Sequence, residues 1–130
     1  MSLRVEPALL RRAEQGPVSA SSLADCVRTS LPYAYGLIAG LAGRLEGAAA
    51  DFVDNQTPPP DELARGQLLR AMASDAIRGA LEDHFGIRLA FQNCHRVAAF
   101  RPQSAGGSDY QEFVSPRAQI LNQQPELVDC

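Results

Sequence analysis

The stretch from Thr57 to Gly86 places the strongest constraint on the fold, because it carries the signals of one continuous helix. It opens with a threonine and three prolines, followed by Asp61 and Glu62. Threonine is a favoured N-cap residue, proline suits the first helical turn, and carboxylates there face the positive end of the helix dipole. Gly86 can adopt the left-handed conformation that ends many helices. We predict a helix over 57–86, roughly 40 Å long, as the spine of the fold.

Apolar side chains recur through this stretch at the spacing of one helix face. They are Leu69, Met72, Ala73, Ala76, Ala80 and Leu81. Polar and charged side chains such as Gln67, Arg70 and Arg78 occupy the opposite side. This pattern is typical of a helix with one face in a core. A helix longer than a small domain must bend or reach a partner, which is one reason to expect a homodimer.

A second major helix is predicted from about Tyr33 to Phe52, with an apolar stripe and a set of glycines at near-helical spacing. The stripe consists of Leu37, Leu41, Leu45 and Phe52, and the glycines are Gly36, Gly40, Gly43 and Gly47. Four glycines lower the helix propensity by about 3 to 4 kcal/mol, which close packing has to offset. We expect the glycine face to pack on the alanine-rich face of the long helix. The same helix of a second subunit is the alternative partner.

Two shorter helices are predicted ahead of these. Glu6–Gln15 has apolar residues on one side and arginines on the other. Ser22 and Asp25 have the spacing of a capping box, which predicts a second short helix that ends before Pro32. Cys26 lies in this helix and is interpreted as a small core residue. Residues 51–56 are interpreted as a polar connection, so the two major helices should be antiparallel neighbours.

After Gly86 the apolar pattern changes from helical spacing to alternation. Ile87–Phe91 and Arg96–Arg101 are predicted to form a β-hairpin around a turn at 92–95, with one bent strand as the alternative. An isolated hairpin is only marginally stable in water. It should therefore pack on a helix or join a second subunit.

The composition changes again at Pro102, where a Gly/Ser-rich segment begins. The remaining apolar residues are too sparse for a core of their own, so residues 102–130 are predicted to be an extended tail on the domain or on a neighbouring subunit. Residues 1–101 are predicted to be one compact domain. The predicted fold class is α+β, mainly α: two long antiparallel helices, shorter N-terminal helices, a small β-hairpin and an extended C-terminal tail.

The charge and residue composition exclude several function classes. The net charge of −3 argues against nucleic acid as a partner, because the phosphate backbone requires a basic face. All 12 cations are arginines, so the chain offers no Schiff-base lysine and no Walker-type phosphate loop. No apolar run reaches the roughly 20 residues of a membrane span, and no signal-peptide region is evident. The three cysteines are far apart, which favours a reducing, cytoplasmic location.

His84, Cys94 and His95 form the one close set of metal- or proton-active residues in the sequence. Zinc needs three or four converging ligands, whereas the adjacent Cys94 and His95 would point to opposite faces of a strand. We therefore expect no metal, no cofactor and no catalytic residue. Arg88, Arg96 and Arg101 lie along the predicted hairpin and are interpreted as charges that protect an edge strand from aggregation.

These observations predict a non-catalytic protein-interaction or regulatory module that forms a homodimer. The alternative is a small-ligand-binding domain with a pocket between the glycine-faced helix and the hairpin. Its polar contacts would come from Tyr33, Tyr35, His84 and His95. An enzyme that uses Cys94 or a histidine is the third and least supported hypothesis.

Overall fold

The computed structural model describes residues 2–122, which fold into a mixed α+β structure dominated by helices. The helices are α1 (Pro7–Gln15), α2 (Ala20–Ser30), α3 (Pro32–Gly47), α4 (Glu62–Met72), α5 (Asp75–Phe85), α6 (Ser108–Phe113) and α7 (Pro116–Leu121). The strands are β1 (Phe52–Asp54), β2 (Arg88–Gln92) and β3 (Arg96–Phe100). The predicted fold class is confirmed at this level, but the arrangement of two long helices is not.

The predicted long helix is in fact two helices, α4 and α5. Helix α4 begins later than the predicted helix. The Asp61 side chain caps it and accepts a hydrogen bond from the backbone N–H of Ala64 at 2.8 Å. A second N-cap then divides the stretch, because the Ser74 side chain accepts from the backbone N–H of Ile77 at 3.2 Å. The prediction of one helix over 57–86 was wrong. The predicted stop at Gly86 is confirmed, since this residue has φ 67° and ψ 39°.

Helix α3 ends at Gly47, five residues before the predicted end, and both of its ends are held by distant side chains. At its N-terminus the buried side chain of Gln67 accepts from the backbone N–H groups of Tyr33 at 2.7 Å and Ala34 at 3.4 Å. At its C-terminus the guanidinium of Arg101 donates hydrogen bonds to the backbone carbonyl oxygens of Leu45 and Ala48. These contacts fix α3 between α4 and the sheet.

The sheet is antiparallel, with β3 in the centre and the strand order β1-β3-β2. The predicted hairpin is confirmed, with Ala90 opposite Ala98, and the single bent strand is excluded. Strand β1 was not predicted: it occupies part of the supposed polar connection, and Val53 pairs with Ala99. Asn55 extends this edge, since its side chain accepts from Val97 N–H and donates to the His95 carbonyl, both at 2.7 Å.

The two faces of the sheet bury two separate cores. Alternate residues of β3 point to opposite faces, so Val97 and Ala99 enter one core and Ala98 and Phe100 the other. The larger core also contains side chains from α2 to α5: Val27, Leu31, Ile38, Leu41, Leu68, Met72, Ile77 and Leu81. The smaller core contains Phe100 and Phe113, with Phe52 stacked on Phe100 at 4.8 Å between ring centroids. The sheet is therefore a middle layer.

The segment after β3 differs from the predicted extended tail. It contains a 3-10 turn at Pro102–Ser104 and the short helices α6 and α7, and α6 delivers Phe113 to the smaller core. Residues 123–130 of the predicted tail lie outside the described residues. Near the other end, α1 is as predicted, while Ser19 rather than Ser22 caps α2. Within residues 2–122, the helices are all too short or too polar to cross a membrane.

Candidate functional site

The glycine face of α3, defined by Gly36, Gly40, Gly43 and Gly47, is exposed. A Cβ atom built on any of these four residues would meet no neighbouring atom within 4 Å. The predicted packing of this face on the alanines of the long helix was therefore wrong. Each glycine lies two residues after a buried core residue: Ala34, Ile38, Leu41 and Leu45. Two residues correspond to about 200° around a helix, so the glycines face away from the core.

A crevice of 530 Å³ opens beside Gly43, between α3, the end of α5 and the segment after β3. Its wall includes Ala42 and Glu46 from α3, and His84 and Phe85 from α5. It therefore lies between the glycine-faced helix and the start of the hairpin, where the ligand pocket was predicted. The side chains of Glu46 and His84 are exposed. The crevice and the glycine face form one continuous surface, which we call the α3 surface.

Arg101 also lines the crevice, but its guanidinium is already used. It donates to the carbonyl oxygens of Leu45 at 2.8 Å, Ala48 at 2.6 Å and Ala50 at 3.2 Å. The last carbonyls of a helix have no intrahelical partners and carry the negative end of its dipole, so an arginine there is stabilising. Arg101 is thus a structural cap of α3 and is not free to bind an anion.

The structure brings together only two of the four predicted ligand-binding residues. The rings of Tyr35 and His84 lie 6.4 Å apart between centroids, and both contact Phe85 at the edge of the crevice. The Nδ1 atom of His84 also lies 3.3 Å from the Ser21 hydroxyl. This small aromatic cluster joins α3 to α5.

Tyr33 and His95 lie elsewhere. Tyr33 is at the start of α3, where burial and the nearby Asp61 carboxylate raise the pKa of its hydroxyl. His95 lies in the β2–β3 turn with a relative exposure of 6%, and its Nδ1 atom has no hydrogen-bond partner within residues 2–122. Burial, helped by the Arg96 cation, lowers the pKa of His95. The four residues therefore do not line one pocket.

The cysteines offer no nucleophile to the α3 surface. Cys94 is buried in the β2–β3 turn and is not a free thiol, contrary to the expectation that all three cysteines are reduced. Cys26 is free but buried in α2, as its interpretation as a core residue predicted. Over residues 2–122, no three His, Cys, Asp or Glu side chains are arranged to hold a metal ion.

The arginines of the hairpin do not form a continuous cationic strip. Arg96 makes an ion pair with the buried Asp54, with Nη2 2.5 Å and Nε 3.1 Å from Oδ2, and lies over the ring of Phe113. Arg88 lies 3.5 Å from Glu82. Sequence reasoning missed the Asp54–Arg96 pair, since the two residues are 42 positions apart and carry no motif. Their role is to join the edge strand β1 to the hairpin.

Comparison with known protein families identifies the family to which the chain belongs. A family model named KH_NucS_shadow, with the description NucS shadow ORF, matches residues 1–130. The chain therefore belongs to the family described as NucS shadow ORF. The description refers to an open reading frame and to NucS, and it states no activity, ligand or partner. No curated protein and no solved structure matches the chain.

Proposed function

We propose that the protein is a non-catalytic interaction module that forms a homodimer through the α3 surface. The observation that supports this proposal is the exposure of all four glycines without a contact. Within one subunit the glycines lower the helix propensity by about 3 to 4 kcal/mol and receive no packing in return. A second helix that lies along a small-residue stripe approaches closely and gains van der Waals contact over its whole length.

A symmetric pair of α3 helices suits the spacing of the glycines. From Gly36 to Gly47 the stripe covers about 17 Å of helix, or three turns. In an antiparallel pair centred on Gly40, Leu37 of one protomer lies opposite Gly43 of the other, next to the crevice. Leu37 is half-buried in the single chain and would be covered in this arrangement. Such an isologous contact closes on itself and produces a dimer.

Sedimentation equilibrium of the wild type and of Gly40→Leu tests this proposal. A leucine at this position fits the single chain, because no atom lies within 4 Å of its Cβ, but it would separate two closely packed helices. We expect a dimeric wild type and a monomeric variant that is still folded by circular dichroism. Ala49→Leu, an exposed position beyond the end of α3, should stay dimeric. A wild type that is monomeric at high micromolar concentration, or a dimeric Gly40→Leu, would contradict the proposal.

A small-ligand-binding domain is the second candidate, and the crevice is the observation that favours it. Its volume of 530 Å³ lies within the range of ligand pockets, and Glu46 and His84 offer polar groups at its wall. A ligand bound there would raise the melting temperature of the wild type and do so less for Glu46→Gln and His84→Gln. A library of small metabolites that shifts none of the three proteins would count against this function.

Nucleic acid remains a less favoured partner. The name of the matched family model includes KH, and KH modules clamp a nucleic-acid backbone with a G-x-x-G loop. The sequence has one G-x-x-G, from Gly40 to Gly43, and it lies inside α3 rather than in a loop. With a net charge of −3 as well, we favour a protein partner.

The cytoplasmic location also stays a proposal: the wide spacing of the three cysteines supports it, whereas the bonded state of Cys94 counts against a reducing compartment. Fractionation of cells that express the protein at its natural level, followed by detection with a specific antibody, would test it. Recovery in the cytoplasmic fraction is the expected result.

A further inference from the structure

A second surface, distinct from the α3 surface, is the groove between α1 and α5. It has a volume of 520 Å³ and is lined mainly by apolar side chains. Leu9 and Ala13 of α1 form one wall, Ala76 and Gly79 of α5 form the other, and Leu23 of α2 lies at its base. Helices α2 and α5 pack against each other below it, so the base of the groove is rigid. We call this feature the α1/α5 groove.

The α1 wall leaves apolar surface uncovered. Helix α1 is amphipathic, yet none of its residues is buried. Leu10 is 51% exposed, and Val5, which lines the groove just before the helix, is 46% exposed. Most soluble proteins cover an amphipathic helix on its apolar side. Within residues 2–122, this side of α1 is covered only in part, since Leu9 is half-buried while Leu10 and Val5 are exposed.

The α5 wall is built from small residues. Ala76, Gly79 and Ala80 are three and four residues apart, so they share one face of the helix. Gly79 is in the middle of α5, where glycine is unfavourable, and no atom lies within 4 Å of where its Cβ would be. The small size of these three residues makes room for another helix to lie against α5.

The charges at the groove are acidic. Asp75 and Asp83 line the α5 wall two turns apart, about 12 Å along the helix, and no arginine lines the groove. Asp75 is already paired with Arg78, whose Nη2 lies 2.6 Å from its Oδ1. Asp75 suits the first turn of α5, but Asp83 is in the last turn, where the helix dipole disfavours a carboxylate. Asp83 is exposed and makes no ion pair with any residue in 2–122. Its position complements a cation across the groove.

We propose that the α1/α5 groove binds an amphipathic helix of another protein that carries lysine or arginine beside its apolar stripe. The apolar residues of the stripe, one per turn, would lie over Gly79 and between α1 and α5. The basic residues would flank this stripe, and one of them would meet Asp83, which has no ion pair within residues 2–122. This interaction is independent of α3, so the groove can be occupied whether or not the protein forms a dimer.

The test uses a labelled model peptide of about 14 residues, (Leu-Lys-Lys-Leu-Leu-Lys-Leu)2, which as a helix has an apolar stripe with flanking lysines. Its binding to the full chain is measured by fluorescence anisotropy, next to the same peptide with glutamate in place of lysine. We expect the lysine peptide to bind and the glutamate peptide to bind at least about tenfold more weakly. Equal binding of the two peptides, or no binding of either, would overturn the proposal.

Two matched pairs of variants locate the binding. Gly79→Leu should weaken the lysine peptide about tenfold or more while Gly79→Ala retains binding, because only the larger side chain fills the groove. Asp83→Asn should weaken it more than Asp109→Asn, which removes an exposed carboxylate from α6. Circular dichroism confirms that each variant folds.

Equal effects within either pair would show that binding is nonspecific and would overturn the proposal. The proposal would also be overturned if Gly79→Leu changed the oligomeric state of the protein in the absence of peptide. Such a change would show that a second copy of the chain occupies the groove.

Discussion

Replacing Gln67 by methionine should destabilise the protein by about 2 kcal/mol, because this side chain caps a helix other than its own. Gln67 lies on α4 with a relative exposure of 7%. Its Oε1 atom accepts from the backbone N–H groups of Tyr33 and Ala34 at 2.7 and 3.4 Å. No side chain at the start of α3 makes an N-cap hydrogen bond, so Gln67 supplies what the local sequence lacks.

The expected loss of free energy of unfolding follows from the packing that methionine keeps and the hydrogen bonds that it loses. It is close to glutamine in size, so the cavity contribution is small. The N–H groups of Tyr33 and Ala34 lose their acceptor in a place that water reaches poorly, since Ala34 is fully buried. Loss of an N-cap costs about 0.5 to 2 kcal/mol, and a buried unsatisfied donor costs about 1 to 3 kcal/mol. These terms overlap, which leaves about 2 kcal/mol, or roughly a 5 to 10 °C lower melting temperature.

Urea unfolding followed by circular dichroism measures this loss directly. Gln15→Met, at the exposed end of α1, makes the same chemical change without a buried partner and should alter the free energy of unfolding by less than about 0.5 kcal/mol. The reasoning is refuted if both substitutions have the same effect, because Gln67 would then not act as a cap.

Three further substitutions test other contacts. Arg101→Met removes three hydrogen bonds from a charged donor to the end of α3 and should cost about 2 to 3 kcal/mol in urea unfolding, whereas Arg101→Lys should recover part of this. Gly86→Ala forces a side chain into a left-handed conformation and should lower the free energy of unfolding by about 1 to 2 kcal/mol, and Gly86→Asn by less; equal losses would contradict this account of the helix end. His95 has a lowered pKa, so the unfolded chain takes up the proton first and stability should fall as the pH drops below 6.5, the ordinary histidine value. In His95→Gln the denaturant midpoint should fall less between pH 6.5 and pH 5 than in the wild type. If it falls equally in both proteins, the pH dependence of stability belongs to another group.

The sequence predicted the features that depend on neighbours along the chain. Gly86 ends α5 because glycine adopts the left-handed conformation readily. The alternation that begins at Ile87 predicted β2, and the second apolar segment predicted β3. The separation of apolar residues and arginines onto two sides predicted α1.

The break inside the predicted long helix was not predicted, because the apolar periodicity runs across it. Ala73 even has helical backbone angles, with φ −78° and ψ −13°, so only the cap at Ser74 marks the new start. Strand β1 has three residues, too few for a pattern, and it exists through pairing with β3 about 45 residues later. Such pairings cannot be seen in a local pattern.

The orientation of α3 escaped prediction for a different reason. Small or apolar residues occur on every side of this helix, so the sequence does not show which stripe is buried. In the structure Ile38 and Leu41 enter the core, which leaves the glycines exposed, and Gln67 and Arg101 hold the two ends of the helix. Of the four predicted ligand-binding residues, Tyr35 and His84 lie close together, while Tyr33 and His95 lie elsewhere; their role in binding stays a prediction.

At most helix starts in the described part of the chain, the residue before the helix is one that the sequence favours as an N-cap, and its side chain makes the N-cap hydrogen bond in the structure. Side chains accept N-cap hydrogen bonds at Ser19, Asp61, Ser74 and Ser115, the residues immediately before α2, α4, α5 and α7. Agreement between levels is a property of sequences that specify one fold. We therefore expect this protein to unfold in one cooperative transition.

The most direct test of the central proposal is the melting temperature of the wild-type protein as a function of its concentration. A homodimer that forms through the glycine face of α3 is stabilised by mass action, so its melting temperature should rise steadily with protein concentration. Gly40→Leu should melt at one temperature throughout the same range. A wild-type melting temperature that is independent of concentration, up to the high micromolar range, would contradict the proposal that a second copy covers the glycines.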